Sequence, residues 1–324
     1  MAEVIKVVGT QVYVQVFEST RGLKVGAEAE FTGHMLEVTL GPGMLSKNYD
    51  GLQNDLDKMD GVFLKRGQYT YPLDKESKWH FVPLAKAGDQ VEAAAWLGQV
   101  DENFQPLKIM VPFGQKGVCT VKSIVKEGDY GIEDTIAVLT DEEGNDVKVN
   151  MIQKWPVKRA MTNYKEKPRP FKLLETGVRV IDTVNPIVEG GTGFIPGPFG
   201  TGKTVLQHAI SKQAEADIVI IAACGERANE VVEIFTEFPE LVDPHTGRKL
   251  MERTIIIANT SNMPVAAREA SVYTAMTIAE YYRSMGLKVL LMADSTSRWA
   301  QALREMSNRM EELPGPDAFP MDLS

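Results

Sequence analysis

The 324-residue sequence has few cysteines, no long hydrophobic run and no excess of basic charge. Its two cysteines, Cys119 and Cys224, lie far apart and outside any CxxC or Cys/His spacing. This pattern excludes a disulfide framework and a structural zinc site. The most apolar strings, such as residues 218–224, are far shorter than the roughly 20 residues that span a bilayer. The cysteine pattern fits a reducing, cytoplasmic setting best, and the first residues show no signal-peptide pattern.

The formal net charge of the chain is −9, from 44 acidic and 35 basic residues. Nucleic-acid phosphates are bound mainly through clusters of Lys and Arg, and no basic stripe runs along this sequence. We therefore predict no nucleic-acid partner and a solvated acidic surface. The hydrophobic fraction of 44% in a chain of this length predicts a large core, divided over roughly two domains.

The first half of the chain has the pattern of short β-strands. Val12, Val14 and Val16 alternate with polar or amphipathic residues, which predicts a strand with one apolar face. A Gly-Pro-Gly element at residues 41–43 interrupts this pattern and indicates a domain junction. Between residues 73 and 151, short apolar strings are separated by Gly, Pro and charged residues, which predicts a small all-β insert.

A proline-marked connection at residues 155–170 separates this half from a part in which the apolar residues follow a different pattern. Continuous apolar strings there alternate with helical stretches, which is typical of a parallel sheet covered by helices on both faces. The strings predicted as strands are residues 218–223, 254–258 and 289–293, and the predicted helices are 204–216, 229–238 and 266–285. We therefore predict an α/β fold with a mostly parallel sheet core. Its domains are an N-terminal β-barrel segment (1–42), the β-rich insert (73–151) and the core (152–324).

The most specific motif is the phosphate-binding pattern GxxxxGK[ST] at residues 197–204, which a helix-forming run follows. Its glycines allow backbone N–H groups to turn towards phosphate oxygens, and the helix presents the positive end of its dipole to them. We expect Lys203 to reach the β- and γ-phosphates of ATP or ADP, and the Thr204 hydroxyl to bind Mg²⁺. The residues predicted to bind the nucleotide are Gly197, Pro198, Phe199, Gly200, Thr201, Gly202, Lys203, Thr204 and Val205.

Charged residues at the ends of two predicted strands complete the candidate site. Asp294 directly follows an apolar string and has the position of a Walker-B acid, which holds the magnesium shell. Glu226 follows another such string and is the candidate for orienting the attacking water. Arg227 and Arg298 are candidates for binding phosphate, because a guanidinium matches phosphate oxygens bidentately. A structural ion pair is an equal alternative for each arginine.

Five strings of this sequence are long and specific, namely residues 197–204, 224–230, 250–254, 258–269 and 293–300. Together they resemble the catalytic (A-type) subunit of the vacuolar and archaeal-type rotary ATPases, which also occur in bacteria. The resemblance implies a P-loop core of the RecA-like type, with Glu226 positioning the hydrolytic water and both Arg227 and Arg298 contacting phosphate. It also implies that residues 73–151 correspond to the bulge domain of that family, which F-type catalytic subunits lack.

The resemblance further implies Mg²⁺-dependent ATP hydrolysis or synthesis in an alternating hexamer with the non-catalytic (B-type) subunit of the same ATPase, which supplies an arginine finger. Central and peripheral stalk subunits would couple the reaction to proton or sodium movement, so the chain itself would be peripheral to the membrane. Family members have further barrel strands before the match to residue 2, and a C-terminal helical domain beyond residue 324. The chain is therefore expected to be cut short at both ends.

Two other functions stay open from the residues alone. A Rho-like hexameric nucleic-acid motor has a P-loop core of this kind, but it needs a basic and aromatic RNA-binding surface, and the acidic balance speaks against one. The other alternative is a nucleotide-binding protein without turnover. The presence of Lys203, Glu226 and Asp294 argues against that alternative for a complete protein, whereas a shortened chain could still be inactive.

Overall fold

The computed structural model describes residues 1–59, 67–164, 166–198 and 200–313, together with residues 315 and 320. Across these ranges no helix is both long enough and apolar enough to cross a membrane. The α-helices are α1 (Arg179–Val184), α2 (Lys203–Gln213), α3 (Ala228–Glu237), α4 (Val265–Ser284) and α5 (Thr296–Arg309). The strands are β1 (Ala2–Val8), β2 (Gln11–Val16), β3 (Glu37–Leu40), β4 (Asn48–Tyr49), β5 (Lys78–Pro83), β6 (Gln90–Val91), β7 (Trp96–Glu102), β8 (Gln105–Met110), β9 (Cys119–Ile124), β10 (Gly128–Gly131), β11 (Ala137–Thr140), β12 (Asp146–Val149), β13 (Gln153–Pro156), β14 (Ile218–Glu226), β15 (Thr254–Thr260) and β16 (Val289–Asp294).

A four-stranded parallel sheet in the order β16-β14-β15-β4 forms the centre of the second half of the chain. Its strand β14 is buried along its whole length. Val219 and Ile221 share a core cluster with residues of α3, whereas Ile218 and Ile220 share one with residues of α4. Alternate residues of a strand face opposite sides, so burial on both faces requires the continuous apolar run seen here. The predicted α/β class with a mostly parallel sheet is confirmed.

The order of the strands brings several turns to one edge of this sheet. β14 continues into α3 and β16 continues into α5, so both helices begin at the carboxyl edge. β15 lies on one side of β14 and β16 on the other. In open parallel sheets, ligands bind outside the carboxyl ends of the strands, at the position where the strand order reverses. The end of β14 is that position in this sheet.

Apart from β4, the strands of the first half of the chain form antiparallel sheets. β1 and β2 form a hairpin, so the strand predicted from the valine alternation is present. Its apolar residues are exposed, however, with Val12 at 40% and Val14 at 49%. The region predicted as an all-β insert holds two four-stranded sheets, in the orders β10-β5-β7-β8 and β12-β11-β9-β6. All of their strand pairings are antiparallel.

Two strand pairings join segments that the sequence analysis places in different parts of the chain. β3 belongs to the predicted barrel segment, yet it pairs with β13, which follows the insert. The short strand β4 adds to the edge of the parallel sheet beside β15. The chain therefore contributes to the core region before it enters the insert and again after it leaves. The domain boundaries at residues 42, 73 and 151 stay predictions.

The β7–β8 hairpin attaches the insert to the edge of the parallel sheet opposite the carboxyl edge. Trp96 Nε1 donates a hydrogen bond to the carbonyl oxygen of Ser284, the last residue of α4, at 3.2 Å. Gln105 Nε2 donates to the carbonyl oxygen of Asp217, directly before β14, at 3.3 Å. These contacts leave the carboxyl edge of the sheet free of the insert.

Candidate functional site

A cleft of about 990 Å³ opens at the carboxyl edge of the parallel sheet. Its walls are the loop before α2, the helices α2 and α3, the first two turns of α5, and the ends of β14 and β16. Small-molecule sites typically measure roughly 300–1,000 Å³, so a ligand of nucleotide size fits this space. The predicted site residues that line the cleft are Gly197, Gly200, Gly202, Lys203, Thr204, Val205, Glu226, Asp294 and Arg298.

The loop at the start of α2 depends on glycines in the left-handed conformation. Gly200 has φ +81° and Gly202 has φ +83°, values that strain any residue with a side chain. Gly202 is also the N-cap of α2, so the unpaired N–H groups of the first helical turn lie at the cleft. The Lys203 ammonium donates to the carbonyl oxygens of Gly197 at 2.6 Å and Pro198 at 3.0 Å. The loop thus combines free N–H donors with a cation.

Two of the predicted loop residues, Pro198 and Thr201, contact each other within the loop. The Thr201 hydroxyl donates to the carbonyl oxygen of Pro198 at 2.8 Å, so these two residues close the loop on itself. Neither of them is among the residues that line the cleft. Phe199 lies outside the residues that the structure describes.

Thr204 and Asp294 meet at the base of the cleft although 90 residues separate them. The Thr204 hydroxyl donates to Asp294 Oδ2 at 2.8 Å. This contact arises because α2 packs against β16, with Ile210 and Met292 in one apolar cluster. Asp294 is the last residue of β16 and is only 8% exposed. The structure therefore places two hard oxygen donors side by side, which is the donor type that Mg²⁺ prefers.

A bulge at the end of β14 directs Glu226 into the cleft. The register between β14 and β15 shifts between Cys224 and Glu226, and Gly225 between them has φ +72°. Bulges with a glycine at positive φ turn the following side chain away from the regular strand direction. The backbone N–H of Ser261, just after β15, donates to the carbonyl oxygen of Glu226 at 2.9 Å and holds the turn in place.

Glu226 and Glu230 form a pair of hydrogen-bonded carboxyl groups in the cleft. Burial, followed by the hydrogen bond to Glu230 and the charge of Asp294, raises the pKa of Glu226 to about 8. The same hydrogen bond is the main reason that the pKa of Glu230 is lowered. Within the pair, a proton therefore favours Glu226 over Glu230. Arg298 Nε lies 3.6 Å from Glu226 Oε1 and opposes the rise in pKa.

The two predicted arginines have different positions. Arg298 lies in the first turn of α5 and lines the cleft. Arg227 is the exposed N-cap residue of α3 and is not among the cleft-lining residues of the described chain. The geometry thus brings Arg298, but not Arg227, together with Lys203 and Asp294.

Sequence reasoning did not assign Glu230 or His208, which also line the cleft. His208 lies four residues after Thr204 on α2, and residues at that spacing share one helix face, so this spacing is the signal that could have identified it. Glu226 ends strand β14 whereas Glu230 lies in α3, so no helix periodicity links these two residues. The His208 ring packs edge-on against Phe238 with 5.9 Å between ring centroids, and burial lowers its pKa.

Three family models match the chain, and all of them describe parts of the ATP synthase alpha/beta family. The nucleotide-binding domain of that family matches residues 177–324. The barrel-sandwich domain of the ATP synthase alpha/beta subunit matches residues 70–158, and the β-barrel domain matches residues 1–33. The matched nucleotide-binding region contains α2, β14, β16 and α5, whose residues form the cleft.

Curated relatives point to the same family. The V-type ATP synthase alpha chain of Treponema denticola is 60% identical over 98% of this chain and 55% of its own length. The corresponding alpha chains of Borrelia hermsii and Borreliella burgdorferi are 57% and 56% identical, each over 98% of this chain and 56% of their own length. This chain thus spans about half the length of these relatives. Together with the contents of the cleft, the three matching models and these relatives show that the chain belongs to the ATP synthase alpha/beta family.

Proposed function

We propose that this chain is the nucleotide-binding part of a rotary ATPase catalytic subunit. In that role it hydrolyses or synthesises ATP with Mg²⁺ and couples the reaction to proton or sodium transport across a membrane. The observation that carries the proposal is the contact of Thr204 Oγ1 with Asp294 Oδ2 in a cleft that also contains Lys203 and Glu226. The similarity to V-type ATP synthase alpha chains supports it.

The residues at the base of the cleft fit a magnesium ion. Thr204 and Asp294 would hold it, and among the described residues no group of three or more His, Cys, Asp or Glu side chains gathers as a metal site. Mg²⁺ commonly takes only one or two protein ligands and fills its shell with water and substrate phosphates. When bound, the ion would neutralise negative charge on the phosphate oxygens.

The remaining polar groups supply binding and proton chemistry. Lys203, which now donates to two loop carbonyl oxygens, would exchange these bonds for bonds to the terminal phosphates, and the N-terminus of α2 would add its dipole. Glu226 would accept a hydrogen bond from the attacking water and so orient the water oxygen towards the γ-phosphorus. Because the raised pKa favours the protonated form of Glu226, a proton on that carboxyl would have to leave or move to Glu230 before Glu226 accepts a hydrogen bond from the water.

The proposed partners rest on the similarity to V-type ATP synthase alpha chains. Arg298 is the one arginine that lines it within the described ranges, and it lies beside Glu226. From the similarity to V-type ATP synthase alpha chains, we propose that a second guanidinium reaches the γ-phosphate from a neighbouring chain, the non-catalytic (B-type) subunit of an alternating hexamer. Central and peripheral stalk subunits would connect the hexamer to the membrane sector, and this chain would be cytoplasmic and peripheral to the membrane.

Nucleotide binding is tested by calorimetric titration of the chain with Mg-ATP. Lys203→Ala should reduce the affinity at least about 10-fold, because it removes the loop cation nearest to the terminal phosphates. Lys249→Ala is the matched comparison, since Lys249 carries an equal charge, pairs with Glu240 at 3.9 Å on the exposed surface and is not among the residues that line the cleft, so its loss should weaken binding much less. Unchanged affinity in Lys203→Ala would refute the loop assignment.

Turnover is tested in the assembled ATPase by phosphate release. Glu226→Gln should leave nucleotide affinity near its original value and reduce kcat by at least about 10²-fold, because the residue acts on water and not on the nucleotide. Near-normal turnover of the Glu226→Gln variant would mean that another acidic residue orients the attacking water. Full nucleotide binding without turnover in the unsubstituted assembly would favour the alternative of a non-hydrolysing nucleotide-binding protein.

A further inference from the structure

We propose that Arg268, in the first turn of α4, is a positioning residue for the catalytic pair Glu226 and Arg298. The inference rests on the proposed ATPase function and extends it to a residue outside the cleft wall. Arg268 is nearly buried, with 12% of its side chain exposed. It is not among the residues that line the cleft, so any effect on turnover must pass through its neighbours.

The stem of Arg268 packs on the bulge that directs Glu226. A Cβ atom added at Gly225 would lie 3.2 Å from Arg268 Cδ, 3.3 Å from Arg298 Cβ and 3.4 Å from Arg298 Cδ. The two arginine side chains therefore enclose Gly225 closely. With a glycine at φ +72°, this segment has wide backbone freedom unless neighbouring atoms restrict it. The two stems supply that restriction.

The guanidinium of Arg268 connects the bulge to helix α5. Its Nη2 atom lies 3.7 Å from Glu305 Oε2, and Glu305 lies seven residues, or about two helical turns, after Arg298 on the same helix. The Arg268–Glu305 pair thus joins the start of α4 to α5, which carries Arg298. One residue thereby contacts the turn that places Glu226 and the helix that places Arg298.

The backbone of Arg268 is attached to the same strand end. Cys224 Sγ donates to the carbonyl oxygen of Arg268 at 3.3 Å, and Ser271 Oγ donates to the same oxygen at 2.7 Å. The side chain therefore starts from a fixed point beside β14. A displaced bulge would alter the 3.6 Å approach of Arg298 to Glu226, which sets both the orientation and the charge environment of that carboxyl.

The proposal predicts that loss of the Arg268 side chain lowers kcat but leaves the affinity for nucleotide nearly unchanged. Arg268→Ala removes the stem from Gly225, and we expect kcat to fall about 10- to 100-fold, because a displacement of about 1 Å in a catalytic group has effects up to that size. The KM for ATP should change less than about threefold, since no phosphate contact is lost. Arg268→Lys keeps a long stem and a cation and should recover most of the turnover.

The experiment measures kcat and KM for Mg-ATP in the assembled ATPase carrying each variant, together with its thermal unfolding. Glu305→Gln removes the charge that pairs with the Arg268 guanidinium and leaves the packing on Gly225 unchanged. This variant therefore tests the proposal even if Arg268→Ala does not fold. Arg283→Ala is the matched control, because Arg283 lies on the same helix and pairs with Glu280 at 2.6 Å on the exposed surface.

Reduced kcat with retained KM in Arg268→Ala or Glu305→Gln, recovery in Arg268→Lys and normal kcat in Arg283→Ala would support the proposal. Normal kcat in both Arg268→Ala and Glu305→Gln would overturn it, as would losses confined to KM or to the unfolding temperature. If the proposed ATPase function itself is wrong, the result differs: the unsubstituted assembly would release no more phosphate than an assembly carrying Lys203→Ala. That result would refute both the ATPase function and the role of Arg268.

Discussion

Replacement of Gly225 by alanine tests whether the bulge at the end of β14 requires glycine for two separate reasons. Its φ of +72° is in the left-handed region, where a residue with a Cβ atom costs about 1–2 kcal/mol. The added Cβ would also lie 3.2 Å from Arg268 Cδ and 3.3 Å from Arg298 Cβ, so both stems would have to move. Overpacking of this kind typically costs about 1–3 kcal/mol. Gly225→Ala should therefore lower the free energy of unfolding by about 2–5 kcal/mol.

Gly247 provides the matched control for this prediction. It has nearly the same backbone conformation, with φ +69°, but nothing in the described part of the chain lies within 4 Å of an added Cβ. Gly247→Ala thus carries the backbone cost of about 1–2 kcal/mol alone. Urea denaturation of both variants measures the difference between them, which is the contribution of the two arginine stems. If Gly225→Ala loses no more stability than Gly247→Ala, the close packing around the bulge is refuted.

Three further results are expected. Burial above all raises the pKa of Glu226 from 4.5 to about 8. Between these two pH values the folded chain keeps a proton on Glu226 that the unfolded chain releases. The contribution of Glu226 to the free energy of unfolding therefore falls as the pH rises through this range. Urea titrations at several pH values should show this fall in the unsubstituted chain, and an equal fall in Glu226→Gln would contradict it. Asp294→Asn should abolish the gain in ATP affinity that Mg²⁺ provides and leave the affinity in EDTA nearly unchanged; a gain that persists in calorimetry would place the ion elsewhere. The chain by itself should hydrolyse ATP at least about 10³-fold more slowly than the assembled ATPase, since an arginine finger contributes about that much or more. Phosphate release of several per second, absent from Lys203→Ala, would show a self-sufficient site.

Local patterns in the sequence were enough to predict the core elements closely. The predicted strand 254–258 corresponds to Thr254–Thr260, and the predicted helix 266–285 corresponds to Val265–Ser284. Buried strands need continuous apolar residues and helices need a repeating apolar face, so both are encoded within a few neighbouring positions. The glycines of the loop before α2 are recognisable for the same reason, because the conformation they permit is a property of single residues.

The pairing of β3 with β13 and of β4 with β15 could not be predicted in this way. Each joins segments more than 100 residues apart, and nothing in the local pattern of either strand specifies its partner. The exposed valines of the β1–β2 hairpin show the same limit. An alternating pattern predicts that a strand has an apolar face, but what covers that face depends on the rest of the fold.

The sequence by itself determined the class of fold, the phosphate-binding loop and the acids at the ends of the buried strands, because these depend on the chemistry of adjacent residues. Only the tertiary structure decided which side chains meet. It placed Thr204 against Asp294, brought Arg298 but not Arg227 to the cleft, and paired Glu226 with Glu230. The physical reason is that these contacts are made by the packing of α2, α3 and α5 around the carboxyl ends of β14 and β16, and such packing is a property of the assembled chain.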